Sequence, residues 1–251
     1  MNMLAIFFKP VTAASGPIHG HVNVAGSYDD PLLLGGITVK DGTLSLMTMN
    51  EAISPINMNL SFSGRNSHLE GSAAFGGGSL TVNGDVSWDH MKIGDYRGEL
   101  HIHTPAIDSI YYSGALDGDF HVEEIERFGK PGLTGTLKAE NAMVDVPFAL
   151  LGDSGETSLD ILTKIDVIIG NNVRLYNSAL YDMMVKGNIS IMGPLSSPFV
   201  HGRVNVEKGT VKINTTEFKM GDASAIWGGE QGNLLPDIHA KAHTRVGHYG
   251  I

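Results

Sequence analysis

A chain of 251 residues with 42% hydrophobic side chains and a mean hydropathy of +0.01 is neither disordered nor a plain membrane protein, and has length for one large domain or two small ones. A net charge of −10 without any Lys/Arg cluster argues against a nucleic-acid partner and against docking on anionic lipid headgroups. The lack of Cys excludes disulfides and thiolate metal sites, and 32 glycines without long runs of helix formers indicate an all-β chain rich in turns.

Met3 to Phe8 is the longest strongly apolar run near the start. It is far shorter than the roughly 18–20 residues of a membrane span, and no basic flank precedes it, so it reads as a strand and not as a signal peptide. The stretch Gly20–Leu46, GHVNVAGSYDDPLLLGGITVKDGTLSL, then alternates apolar with polar, the mark of a strand with one buried face. Val22, Val24, Ile37, Val39, Leu44 and Leu46 share its apolar phase. Pro31, after Asp29-Asp30, marks a turn. Asp41-Gly42 reads as a two-residue hairpin tip with Gly42 at positive φ, pairing Lys40 with Thr43, Val39 with Leu44 and Ile37 with Leu46.

Further on, Ile56, Met58, Leu60 and Phe62 alternate with polar residues up to a turn at Gly64-Arg65-Asn66, and Gly76-Gly77-Gly78 breaks the chain again. Leu80 and Val82 lie in apolar phase, as do Leu100 and Ile102 against Glu99, His101 and His103. Residues 105–112 and 123–126 are less regular, which suggests short loops or a helical turn. A looser copy of the first frame runs through Gly118, Phe120, Val122, Pro131, Gly135, Leu137, Ala139, Val144 and Val146. Pro147 to Gly155 reads as a loop, Leu159 to Ile169 as a strand, and Asn171-Asn172 as a turn that sends Val173 and Leu175 back.

From Gly187 to Ile213 the frame returns without a gap. Gly187, Gly193, Pro198, Gly202 and Gly209 each lie 167 positions after Gly20, Gly26, Pro31, Gly35 and Gly42. Ile189, Ile191, Val204, Val206, Val211 and Ile213 form its apolar phase, and Lys208-Gly209 becomes the second hairpin tip. Phe218, Trp227 and Ile238 continue the inward set. The total is about fourteen to sixteen strands and no convincing amphipathic helix. With no helix to cover it, the apolar face must curl, stack or be covered by something else.

No catalytic constellation is present. His19-x-His21 and His101-x-His103 have the spacing of a metal pair, but they alternate with inward Val22, Leu100 and Ile102 and read as a solvated face. Ser79 lacks the nucleophile-elbow frame, and Gly76 to Gly78 lacks the Lys-Ser/Thr of a phosphate loop. No enzyme activity, metal or cofactor is expected.

The residues Gly187-Asn-Ile-Ser-Ile191, Gly193, Pro198, Gly202-Arg-Val-Asn-Val206 and Gly209-Thr-Val-Lys-Ile213, then Phe218, Gly221, Trp227-Gly228 and Pro236-Asp-Ile-His-Ala240, come in an order that resembles the C-terminal domain of the TamB family. That family (the translocation and assembly module subunit) lies in the AsmA-like group of bridge-like lipid transfer proteins. The resemblance divides the chain into a repetitive β-groove region at 1–157, with hairpin units near 20–46 and 118–146, and the start of a TamB-like C-terminal domain at 158–251. It implies a long, curled, mostly antiparallel sheet forming an open apolar groove, as a fragment of a larger repeat protein. The apolar phases above would line a conduit for phospholipid acyl chains between two bacterial membranes, with a link to outer-membrane protein and autotransporter assembly. It further implies a periplasmic place in the cell envelope, an inner-membrane anchor outside this text, and an outer-membrane barrel partner of the TamA or BamA kind met through a missing C-terminal part. From another class, a surface β-solenoid or adhesin-like protein would pack the same apolar face internally. Its need for a constant rung fits poorly with Pro31, Pro131 and Pro198 at unequal spacings.

Overall fold

Continuous alternation has one structural consequence, and the computed structural model shows it: among the described residues there is strand and turn but no helix. The structure describes residues 11–90, 92–125, 130–145, 161–194, 197–214, 216–231, 235–246 and 249–250. Met3 to Phe8, Val146, the loop expected at Pro147 to Gly155, and Leu159 lie outside them.

In chain order the strands begin with β1 (Val11–Ser15), β2 (Ile18–Gly26), β3 (Pro31–Leu46), β4 (Ile53–Gly64) and β5 (Asn66–Phe75). Next come β6 (Gly78–Asp89), β7 (Lys92–Asp108), β8 (Tyr112–Ile125), β9 (Lys130–Val144) and β10 (Leu162–Asn177). The series closes with β11 (Tyr181–Pro194), β12 (Phe199–Ile213), β13 (Thr216–Gln231), β14 (Asp237–His243), β15 (Arg245–Val246) and β16 (Tyr249–Gly250). From β3 to β14 each strand neighbours the next in one open sheet, β1 and β2 both lie along β3, and β15 pairs with β16. Every register resolved is antiparallel, and the large sheet is not closed into a barrel. The described residues fall into two compact units, one within 1–110 and 117–134, the other within 111–116 and 135–251.

The expected all-β open sheet is what the chain forms, but three expected reversals are not reversals. Asp41-Gly42 lies inside β3, which runs on without a break from Pro31 to Leu46. Its register against β4 slips by one residue between Val39 and Gly42, a β-bulge. The left-handed φ belongs to Asp41, at 51°, and not to Gly42. Lys208-Gly209 likewise lies inside β12, where Glu207 is the extra residue between the Met184–Lys208 and Val185–Val206 pairs. Asn171-Asn172 is a bulge in β10, with Asn172 at φ 56°, so Val173 and Leu175 carry the same strand onward. The looser copy repeats the device: Asn141, one hundred positions after Asp41, has φ 47° within β9.

The confusion has a physical origin. A two-residue hairpin tip and a one-residue bulge both use residues that tolerate left-handed backbone, and both restore apolar phase after an odd spacing. Val206 and Val211 therefore share a face in either arrangement. The true hairpin connections are at the prolines: Gly26 pairs with Pro31 after a turn closed by mutual Ser27–Asp30 backbone hydrogen bonds, and Pro198 directly precedes β12. The irregular stretches also resolve as strand, residues 105–108 ending β7 and 123–125 ending β8.

Candidate functional site

Directly opposed residues of an antiparallel pair point to the same side of the sheet, so the registers can be followed across the strands. In the first unit Val24 faces Leu33, Val22 faces Gly35, and Ile18 faces Val39. The row continues from Gly35 to Phe62, from Ile37 to Leu60, from Val39 to Met58 and from Leu44 to Ile53. Leu60 then faces Leu69, and Ile56 faces Ala73. Ala73 faces Leu80, Gly71 faces Val82, and these lead to Ile102 and Leu100. One side of the unit is thus apolar strand after strand. Most of these side chains are half-buried, and no helix among the described residues covers them.

The second unit has the same construction with deeper cover. Val173, Val185 and Val206 form one row, and Val206 continues to Ala223. Val167, Ile189, Gly202 and Trp227 form another, and Val211 joins Tyr181 to Phe218. Ala139, Ala142, Val173, Val185 and Val204 are buried together, with Val144, Ile169, Ile189 and Trp227 packed against them. Burial, with Asp145 adding to it, pushes Tyr181 above the usual tyrosine range. In the first unit burial does the same to Tyr96, with Glu124 adding.

The two long copies agree down to their glycines. Gly35 and Gly202 have φ of +125° and +141°, and a Cβ on either would lie 2.2 or 2.3 Å from the carbonyl oxygen of His21 or Asn188. Each faces a large aromatic on the next strand, Phe62 or Trp227. Gly209 is required for space, and Gly42 is less tightly constrained. A Cβ on Gly209 would sit 2.5 Å from the carbonyl oxygen of Asp182, and one on Gly42 would sit 3.1 Å from Cγ1 of Val39.

The opposite side is polar. In the first unit His68 faces Asp85, which faces Arg97, and their side chains join: His68 Nδ1 lies 2.9 Å from Asp85 Oδ1, and Arg97 Nε donates to Asp85 Oδ2 at 2.9 Å. The His68 hydrogen bond first and the Arg97 hydrogen bond second hold the Asp85 carboxyl below the usual range. His103 pairs with Asp117, and His101 lies 2.6 Å from Asp119 and 3.9 Å from Glu99. Among the described residues no group of three His, Cys, Asp or Glu side chains is placed to hold a metal ion. Ser61, Asn66, His68, Asp85 and Arg97 line a shallow depression of about 420 Å3 on this side, a solvated surface without a nucleophile–base pair. In the second unit Arg174 donates twice to Asp182 at 2.6 Å, which lowers the carboxyl's pKa and raises that of the guanidinium.

Of the residues singled out by sequence, Val22, Val24, Ile37, Val39, Leu44, Leu80, Val82, Leu100 and Ile102 are connected by register on one side of the first unit, and Leu46 follows Leu44 by two positions. Ile189, Ile191, Val204, Val206, Val211, Phe218, Trp227 and Ile238 are connected in the second. Leu137 shares the phase of buried Ala139, and Val144 packs on the core. Ile213 and Ile238 are 60% and 68% exposed. The sequence set omits Val173 and Val185, the most buried apolar side chains. Val173 stands directly after the bulge read as a turn, and Val185 follows Met183-Met184, where alternation is broken.

Fold and face together define a class: an all-β protein of open antiparallel sheet, each of its two units apolar on one side and polar on the other. Residues 70–246 match the TamB C-terminal domain, and the chain belongs to that family. It is a TamB-like protein of the cell envelope, from a non-enzymatic family associated with assembly and transport. No curated protein and no solved structure matches the chain.

Proposed function

We propose that the apolar side of this sheet is a surface for phospholipid acyl chains, and that the chain is part of a hydrophobic groove along which lipid passes between inner and outer membrane. The observation that carries the reading is the register-connected apolar face, continuous over β2 to β7 in one unit and β10 to β13 in the other. Monomeric soluble proteins rarely expose apolar patches above a few hundred Å2. An acyl chain laid on such a face removes about 0.8 kcal/mol of exposure per CH2. Aliphatic walls give no directional hydrogen bonds, so they hold tails without fixing them, as passage requires. In this reading the protein works in the periplasm, anchored to the inner membrane by a segment outside this sequence. Its partner is an outer-membrane barrel of the TamA or BamA kind, which ties lipid supply to outer-membrane protein assembly.

The test is extraction of lipid from protein purified out of envelopes, followed by mass spectrometry. Phospholipid in stoichiometric amount is the expected result. Lipid-free protein with a stable monomeric fold would favour an adhesin-like structural role, in which the face packs on protein.

A further inference from the structure

The chain holds 11 methionines and no cysteine, so its thioethers are its only oxidisable sulfurs. Among the described residues three of them are well exposed: Met47 at 67%, Met143 at 40% and Met58 at 37%. Met47 lies in the turn after β3, outside any strand. Met143 stands between Ala142, buried in the core, and Val144, packed on it, and so points to the opposite side. Of the three only Met58 belongs to the apolar side. It faces Val39 on β3 and Gly71 on β5, and the row continues to Val82 and Leu100. In the second unit Met183 also faces a glycine, Gly209, but it packs against the buried core.

We propose that Met58 is a reversible oxidation site, at which a peroxide turns the apolar row of the first unit into a wetted one. A Cβ on Gly71 would lie 3.0 Å from Cγ of Met58 and 2.8 Å from Cγ1 of Val82, so both side chains close over the glycine. In the reaction the Sδ lone pair attacks one peroxide oxygen and the O–O bond breaks. An S–O bond forms, and the second oxygen leaves as water with the first one's proton. The thioether loses two electrons and the peroxide gains them. The sulfoxide oxygen is a strong acceptor. Val39, Val82 and Leu100 offer it no side-chain donor, so water drawn onto the row must satisfy it. A dithiol reductase reverses the step, releasing the oxygen as water and closing its own thiols to a disulfide.

The test treats the intact chain with hydrogen peroxide in steps and follows each methionine by peptide mass spectrometry. Anilinonaphthalene sulfonate serves as the probe of exposed apolar surface. Met58 should be oxidised about fivefold faster than the core-packed Met183. Dye affinity should fall about threefold in step with sulfoxide formation at Met58, and sulfoxide reductases acting on both epimers should restore it. Met58→Leu, close in volume, should bind the dye as the unaltered chain does and lose the peroxide response. Met143→Leu should keep that response. Three results overturn the proposal: equal oxidation rates at Met58 and Met183, a dye loss that persists in Met58→Leu, or undiminished dye binding once Met58 is fully oxidised.

Discussion

The frame at Gly20–Leu46 and the frame at Gly187–Ile213 have the same glycines, the same prolines and the same cross-strand register, yet their burial differs. Val204 is 6% exposed in the second, while its counterpart Ile37 is half-buried in the first. The second frame lies between β10 and β13 and packs on Ala139, Ala142 and Val173. In the first, β2 exposes every residue. The local pattern therefore sets pairing and face, and the neighbouring strands set how much of the face is covered. Stability should be unequally divided between positions that look alike in the sequence.

A charge placed at equivalent positions is the strongest way to break that comparison. Val204→Asp buries a carboxylate without a partner and should cost about 3–5 kcal/mol, enough to unfold the second unit in a denaturant titration. Ile37→Asp, half-exposed, should cost less than half as much. Equal losses would mean that the frame itself, and not its neighbours, sets burial.

A smaller effect separates the two bulge glycines. Gly209→Val should cost about 1–3 kcal/mol, because its Cβ meets a backbone carbonyl that cannot move without disturbing the ladder. Gly42→Ala meets the Val39 side chain at 3.1 Å and Ile56 at ordinary contact distance, and should cost about 1 kcal/mol or less. Thermal midpoints of the two variants check the order. Reversal would show that the hairpin tip, not the bulge, is the correct local structure.

The smallest effect is in acid. Asp182, bonded twice by Arg174, and Asp85, bonded by His68 and Arg97, both titrate below the ordinary value of 3.8. A depressed folded pKa stabilises above the unfolded value, and that contribution is lost as pH falls through the folded one. Both groups are solvent-accessible, so the stability change should be slight and salt-sensitive. Carboxyl 13C shifts should place both midpoints below 3.8, and Arg174→Leu should return Asp182, but not Asp85, towards it.

Much of the fold was legible because period-two alternation has only one backbone solution. Ile56 to Phe62 and Leu80 to Val82 read from spacing alone as strands with one apolar side. What misled was local chemistry with two structural uses. Asp41-Gly42, Lys208-Gly209 and Asn171-Asn172 favour left-handed backbone, and only the partner strand decides whether the chain reverses there or bulges and continues. The pairing of Gly35 with Phe62 and of Gly202 with Trp227 was not legible either, because it depends on cross-strand register. The apolar side was readable at nearly every position. Its most buried members, Val173 and Val185, fell where bulge or methionine pair disturbed the alternation.

Whether the apolar side carries lipid is tested most directly at two adjacent residues of β12. Val206 lies between Val185 and Ala223 on the apolar side, and Asn205 lies between Lys186 and Ser224 on the polar side. A photo-reactive amino acid placed at each position in turn, in cells making the protein, reports what touches each face without adding a charge. Phospholipid captured from 206 and none from 205 is the predicted result. Equal capture from both, or only protein adducts from 206, would contradict a lipid-bearing face.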